Sequence, residues 1–455
     1  MPRRSPGESA SRWLERLPSG VEADVREVRE RWQTMRYANG RITQPHVEDQ
    51  GLLSLRVLID GRLATATSND LTPDGFDRLA RQAIALARSA PPEPKFPGFP
   101  GEAVRPPVRA STHRATPLSP ETVGRLAMAA MDAVRQELPD ARISGAVHVG
   151  VERVAVANTS GLDRAMMRTI GQASALAEDL SLQPAGSGWA ECAEWDPRRL
   201  PTARMGREAA ARVARVAPRR VPPGRYPVLL RSPAVSELLA FLGYLGFSAH
   251  GELEGWSCLA KQRDRTVAPE SVSLTDDGTS PRVLPQTIDF EGVGKRPIPL
   301  IENGVARGPV LDLLSAGRLG RETTGHGPPP ESPYGDAGPS PGHLLLAPGD
   351  AREEEMIRSI RRGILVTRFH YVRVVHSARS ILTGMTRDGT YWIENGEVTA
   401  PVRNLRFTES VLGTLGGVEL VGRAAERTAD ERGALSVSCP PLVSRSFRFT
   451  SATVF

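Results

Sequence analysis

Four prolines crowd the ten residues from Pro218 to Pro227, and no other stretch constrains the fold as much. Each proline fixes φ and removes a backbone donor, so such a cluster interrupts regular structure and divides the chain. The texture differs on its two sides. Residues 1–217 mix helical patterns with hairpins, residues 218–227 form the linker, and residues 228–455 are mostly short strands punctuated by Gly, Asp and Asn. The expected fold class is α+β: an N-terminal domain of antiparallel sheet covered by helices, then a predominantly β domain.

In the N-terminal half, Ser9 to Gln33 reads as a surface helix, with the alternating charges of Arg26-Glu27-Val28-Arg29-Glu30-Arg31 on a solvated face. Leu52 to Ile59 and Arg62 to Thr67 flank Asp60-Gly61 and predict a hairpin. Thr72-Pro73 matches a helix start, with Phe76, Leu79, Ala80 and Ala83 as its apolar stripe, and Pro91 to Pro107 reads as a proline-rich loop. A second helix spans Ser119 to Leu138, strands run near Ile143 to Val156 and Ala165 to Ala177, and Gly206 to Val216 forms another helix.

Past the linker, Tyr226 to Leu230 reads as a strand and Ala234 to Phe247 as a buried helix ending at Gly246, followed by a polar turn to Gly255. Met356 to Gly363 is a further helix candidate, and Ser436 to Phe455 is strand-like. Glu302-Asn303-Gly304 and Glu394-Asn395-Gly396 are hairpin turns, because Asn-Gly supplies the two positive φ angles of a type I′ turn. Asp388-Gly389 also reads as a turn. The strand edges of this half and its apolar helix call for a large interface with a partner.

Composition narrows the function classes. With 455 residues and 40% apolar content the chain can bury more than one core. Cys192, Cys258 and Cys439 are odd in number and far apart, which suggests a reducing, cytoplasmic setting rather than a disulfide framework. Met1 to Glu8 carries two arginines with no apolar run behind them, and nothing approaches a membrane span, so neither secretion nor membrane insertion is expected. The net charge of +6 is arginine interleaved with acids, which gives no basic footprint for nucleic acid.

Metal chemistry is tested by the histidines. The eight are His46, His113, His148, His250, His326, His343, His370 and His376, and no two form an H-E-x-x-H pair. His370 and His376 share a strand face but stand about 20 Å apart, too far to hold one ion. Leu245-Gly246-Phe247-Ser248-Ala249-His250 lies where a metal-binding helix would be expected and offers a single imidazole; a catalytic zinc needs about three protein ligands. His250 and Glu254 are the nearby donors. Cys439 reads as a small buried apolar residue.

Several short segments, taken in order, resemble the TldD/PmbA family of peptidase subunits. They are Ala38-Asn39-Gly40-Arg41-Ile42, Asp60-Gly61-Arg62, Ser68-Asn69-Asp70-Leu71, Ser187-Gly188-Trp189 and Gly206-Arg207-Glu208-Ala209-Ala210 in the first half. In the second they are Leu300 to Val305, Thr324-Gly325-His326, and a run from Thr386-Arg387-Asp388-Gly389 through Ile393 to Glu397, Pro401 to Asn404 and Arg406-Phe407-Thr408. The C-terminus departs from the glycine-rich ending of the family.

The resemblance implies two kinds of subunit. TldD-like chains carry an H-E-x-x-x-H helix followed by G-L-E-G that binds zinc, and TldE chains, also called PmbA, lack it. Here His250-Gly251-Glu252-Leu253-Glu254-Gly255 is similar to the second part, and setting His250 on the second histidine puts Leu245 and Gly246 where the first histidine and the glutamate belong. The match is to the TldE type. It implies a non-catalytic subunit, with no catalytic residue, metal ligand or cofactor of its own, that pairs with a zinc-bearing TldD-like chain. The heterodimer would cleave peptides or amide-containing precursors in an enclosed cavity, as in natural-product maturation.

Within that expectation His250, Glu254, Arg387 and Asn404 are the substrate-cavity candidates, the last two because guanidinium and amide groups can hold a peptide carbonyl or carboxylate. His250 reads equally well as a helix-terminal cation, and Glu254 as solvated surface. Two other function classes stay open: a stand-alone hydrolase with a site near His250, Glu254 and His326, and a non-enzymatic binding or scaffold protein.

Overall fold

The computed structural model describes residues 9–107, 118–182, 185–330, 338–430 and 432–453. His113 lies outside them. Six long antiparallel strands, β1 (Glu22–Ala38), β2 (Arg41–Ile59), β3 (Arg62–Ser68), β4 (Arg142–Asn158), β5 (Asp163–Asp179) and β6 (Gly186–Glu194), form one sheet in the order β3-β2-β1-β4-β5-β6. Alternation along each strand decides what each face meets. Val25, Met35 and Tyr37 of β1, Leu53, Leu55 and Val57 of β2, and Val147, Ala173 and Ala190 of β4 to β6 point to the helices. Their alternate neighbours point to the C-terminal half.

The covering helices are Pro73–Ser89, Pro120–Glu137 and Thr202–Ala211. The first two begin as the sequence predicts, with the Thr72 and Ser119 side chains accepting from Gly75 N and Thr122 N and a proline behind each cap. The third spans Thr202–Ala211 rather than 206–216. The helix Glu353–Ser359 likewise sits three residues before its expected start.

The expectation of a helix over 9–33 is overturned. Only Ser11–Leu14 is helical, and Glu22–Ala38 is a strand between two others, turning into β2 at Asn39-Gly40 with φ of 50° and 71°. Two of the charges that suggested a solvated face are buried, Arg26 and Glu27 being 5% and 2% exposed, while Arg29 and Arg31 stay at the surface. Glu27 accepts from Trp13 Nε1 at 2.7 Å and Arg29 Nε at 2.6 Å, and that pairing, with a cation on each side, holds its carboxyl below the ordinary range although burial opposes it.

In the C-terminal half the strands Arg362–His376, Gly224–Leu230, Leu442–Ala452, Leu405–Ser410 and Ile381–Glu394 pair in that sequence, and the last pairs back to the first, closing a five-stranded ring. Pro227 falls where the register between Gly224–Leu230 and Leu442–Ala452 shifts, a place that asks no donor of it. Phe369, Phe407, Phe447 and Phe449 fill the ring with centroids 4.6 to 5.6 Å apart. The helix Ser232–Phe247 packs in the same core, with Leu238, Leu242 and Leu245 almost wholly buried. Its apolar character is therefore met within the chain, and ring closure removes most free strand edges. Neither feature argues for a partner any longer.

A smaller six-stranded sheet, built around Leu274–Asp276 and His343–Leu346, is interleaved with the ring in sequence and takes its other strands from 298–306 and 426–439. Asn303-Gly304 and Asn395-Gly396 are turns with positive φ, as expected. Asp388-Gly389 is different. It sits inside Ile381–Glu394 at a register shift opposite Thr367, so it is a β-bulge rather than a turn.

The halves lock through buried charge. Arg56 of β2 donates to Asp24 at 2.6 Å and to Glu291 at 2.7 Å, and all three are nearly inaccessible. Glu291 also accepts from Leu313 N at 2.8 Å, which fixes the loop beneath the helix Leu313–Leu319. No helix among the described residues is long and apolar enough to cross a membrane.

Candidate functional site

The segment around His250 is closed by packing. Leu245 is 1% exposed, and a Cβ on Gly246 would meet Leu259 Cδ1 at 2.7 Å. Their carbonyls are engaged as well, Leu245 O by Cys258 N and Gly246 O by the Ser257 hydroxyl. Beyond Ser248 the expected polar turn is a short helix, Ala249–Leu253. His250 is half-buried, its ring 6.3 Å from Trp256, and the chain at Gly338 passes so close that a Cβ there would sit 2.6 Å from His250 Cβ. Glu254 caps that helix and is exposed.

Zinc does not fit here: one imidazole, an aliphatic side chain and a glycine make no ligand set. Among the described residues no three His, Cys, Asp or Glu side chains are placed to hold a metal ion. The cysteines are free thiols, and Cys439 is buried as expected. His370 and His376 do not share a regular face, because the register shifts after His370 and Tyr371 takes φ +57°.

His326 belongs to a buried network instead. Its Nε2 lies 2.8 Å from Asp276 Oδ2 and its Nδ1 2.9 Å from the Thr324 hydroxyl, while Asp276 Oδ1 accepts from His343 N at 2.7 Å. Burial, reinforced by Lys295, keeps His326 below the usual imidazole range and pushes His343 down to about 3. Asp276, despite its burial, is held well below the carboxylate range by His326 and Lys295. With both ring nitrogens occupied and 3% exposure, His326 cannot reach a substrate alongside His250.

Arg387 lies in the ring strand Ile381–Glu394 and Asn404 just before the adjoining strand Leu405–Ser410, joined where Leu405 N donates to the Thr386 hydroxyl at 2.9 Å. Arg387 is partly exposed with Nε 3.7 Å from Asp388. Asp388 has a closer partner in Arg368, whose Nε donates to it at 2.9 Å, and it accepts from the Ser187 hydroxyl at 2.8 Å. Asn404 Oδ1 lies 3.5 Å from the Thr390 hydroxyl. The surroundings of this pair are separate from those of His250 and Glu254.

Beside Arg368 opens a polar groove of about 400 Å³ that sequence reasoning missed. Its floor is the sheet face turned away from the helices. One cross-strand row runs Arg36, Ala146, Ser174, Glu191, and the next row contributes His148 and Gln172. The wall is Arg368 lying over the Trp189 ring at 4.4 Å. Glu191 is half-buried, and crowding by protein raises its carboxyl to about 8, with Arg368 opposing and Glu237 and Glu426 adding to the rise. The available signal was Trp189 and Glu191 at a spacing of two in a strand.

Residues 223–451 match the PmbA/TldA metallopeptidase C-terminal domain, and residues 23–87 match domain 1 of the same metallopeptidases. Among curated proteins, the chain is similar to a metalloprotease TldD homolog of Buchnera aphidicola subsp. Schizaphis graminum, 27% identical over 44% of this chain and 41% of that one. It is also similar to a metalloprotease of Methanothermobacter thermautotrophicus, 28% identical over 48% and 47%. These alignments span less than half the length of the curated relatives. Among solved structures, TldE from Thermococcus kodakarensis superposes with a TM-score of 0.81 at 21% identity, covering 94% of this chain and 96% of that one. A Thermotoga maritima protein, described provisionally as a DNA gyrase modulator, gives 0.84 at 22% identity over 97% and 100%.

Proposed function

We propose that this chain, which belongs to the PmbA/TldA metallopeptidase family, is the non-catalytic, TldE-like subunit of a cytoplasmic heterodimeric zinc peptidase. The observation that carries this reading is the packed pair Leu245 and Gly246. A zinc hydrolase needs a ligand set and a proton acceptor at the metal. Here the corresponding positions hold a core leucine and a glycine whose missing side chain is filled by Leu259. The likeness in fold to a TldE structure agrees with it.

In this reading zinc is held by a TldD-like partner, and the present chain supplies half of an enclosed cavity that admits peptides or amide-containing precursors. Of its own residues, Arg387 orients a peptide carbonyl or carboxylate by charge-assisted hydrogen bonding, and Asn404 offers an amide to the same stretch of backbone. His250 and Glu254 line the cavity without taking part in the chemistry.

Co-expression with a TldD-like chain bearing H-E-x-x-x-H tests the pairing. A complex that co-purifies and sediments as one species is expected. Two chains that migrate separately at micromolar concentration would contradict it.

A further inference from the structure

The polar groove has a guanidinium at one end and a carboxyl at the other. Arg36 and Glu191 close the row Arg36, Ala146, Ser174, Glu191, and the two middle side chains are short, which leaves the floor low between them. Four adjacent strands put the ends about 14 Å apart at the backbone. An extended peptide advances about 3.3 to 3.6 Å per residue, so a peptide of about four residues spans that distance. A volume of about 400 Å³ is that of a ligand site, yet the lining is polar where such sites are mostly apolar.

We propose that this groove binds a short peptide with free termini, its ammonium group against Glu191 and its carboxylate against Arg36. The assignment rests on the peptidase-subunit reading and deepens it by naming the ligand class. Arg368, fixed by Asp388 and by stacking on Trp189, forms a rigid wall along the peptide, and the Ser174 hydroxyl and Gln172 amide meet its backbone. The groups facing Glu191 are Arg368 from Arg362–His376, Glu237 from the helix Ser232–Phe247, Glu426 from the strand Glu426–Ala429, and Arg212 at the end of Thr202–Ala211. The carboxyl of Glu191 is raised to about 8, so it carries a proton at pH 7, and an arriving ammonium replaces that proton.

Calorimetry on the full chain without a partner tests this, with tetra-alanine as the probe at pH 7. Binding should release a proton, seen as an enthalpy that depends on the ionisation heat of the buffer. Glu191→Gln should abolish the release, and N-acetylation or C-amidation of the probe, or Arg36→Ala, should each weaken binding roughly tenfold, as losing one charge-assisted contact does. No heat at millimolar peptide, or binding indifferent to both capped termini and free of proton release, overturns the proposal. The assay needs no partner and no hydrolysis, so its failure leaves the subunit pairing to be judged by co-purification.

Discussion

Arg387 and Arg368 share Asp388, and the closer contact belongs to Arg368. Removing Arg387 therefore leaves Asp388 paired and isolates what its exposed guanidinium does. In a reconstituted pair, Arg387→Ala should lower peptide kcat/KM by roughly ten- to a hundredfold, the weight of one charge-assisted contact, with assembly unchanged. Equal kcat/KM would confine Arg387 to shaping its bulge. Arg56 shows the opposite case. Its loss strands Asp24 and Glu291 in the interior, so Arg56→Met should cost about 3 to 5 kcal/mol in denaturant unfolding, whereas a change under 1 kcal/mol would show that Arg26 takes over both carboxylates. His343 sets a pH dependence. Its folded value near 3 lies below the ordinary 6.5 or so, so the unfolded chain binds more protons between the two and stability falls as pH drops through that window. Urea midpoints at pH 7 and pH 5 should differ less in His343→Leu than in the parent; an unchanged difference would place the acid sensitivity elsewhere.

At the scale of elements, the segment 245–259 is closed by its own packing. Leu245→His with Gly246→Glu restores the side chains of a zinc helix on paper, but a Cβ at 246 has no room beside Leu259. The double variant should lose about 1 to 3 kcal/mol by overpacking and gain no zinc; recovered metal binding with undiminished stability would mean the site was never closed. Much of this architecture is legible in the sequence. The caps at Thr72 and Ser119, the Asp60-Gly61 hairpin and the apolar run 234–247 all act through local chemistry that the chain carries on its face. The long strand Glu22–Ala38 was not, because its charged residues pair with groups far away in sequence, Asp24 with Arg56, Arg26 with Glu291 and Glu30 with Arg432, and mimic a solvated helix. The Asn39-Gly40 turn was the one local clue. Asp388-Gly389 carries turn chemistry, yet only the ladder with Arg362–His376 makes it a bulge. The groove around Glu191 depends on four strands in register and on a side chain from the other half, so no single segment announces it.

For the whole molecule, the α+β frame does two things at once. One sheet face is sealed by helices, and the other meets the C-terminal half across a seam that combines buried ion pairs to Glu291 with an open polar groove beside Arg368 of the ring. The apolar surface of the ring helix is consumed inside the chain, so assembly with a partner must draw on other surfaces, and where the metal resides decides between a non-catalytic subunit and a self-sufficient hydrolase. The most direct measurement is zinc content and peptidase activity on this chain alone, on a TldD-like chain alone, and on the two combined. Zinc confined to the TldD-like chain, with cleavage of unstructured peptide by the combined pair and none by the present chain, is the predicted result. A tightly held zinc in the isolated chain that is lost on His250→Ala, or peptide hydrolysis by the chain unaided, would contradict it.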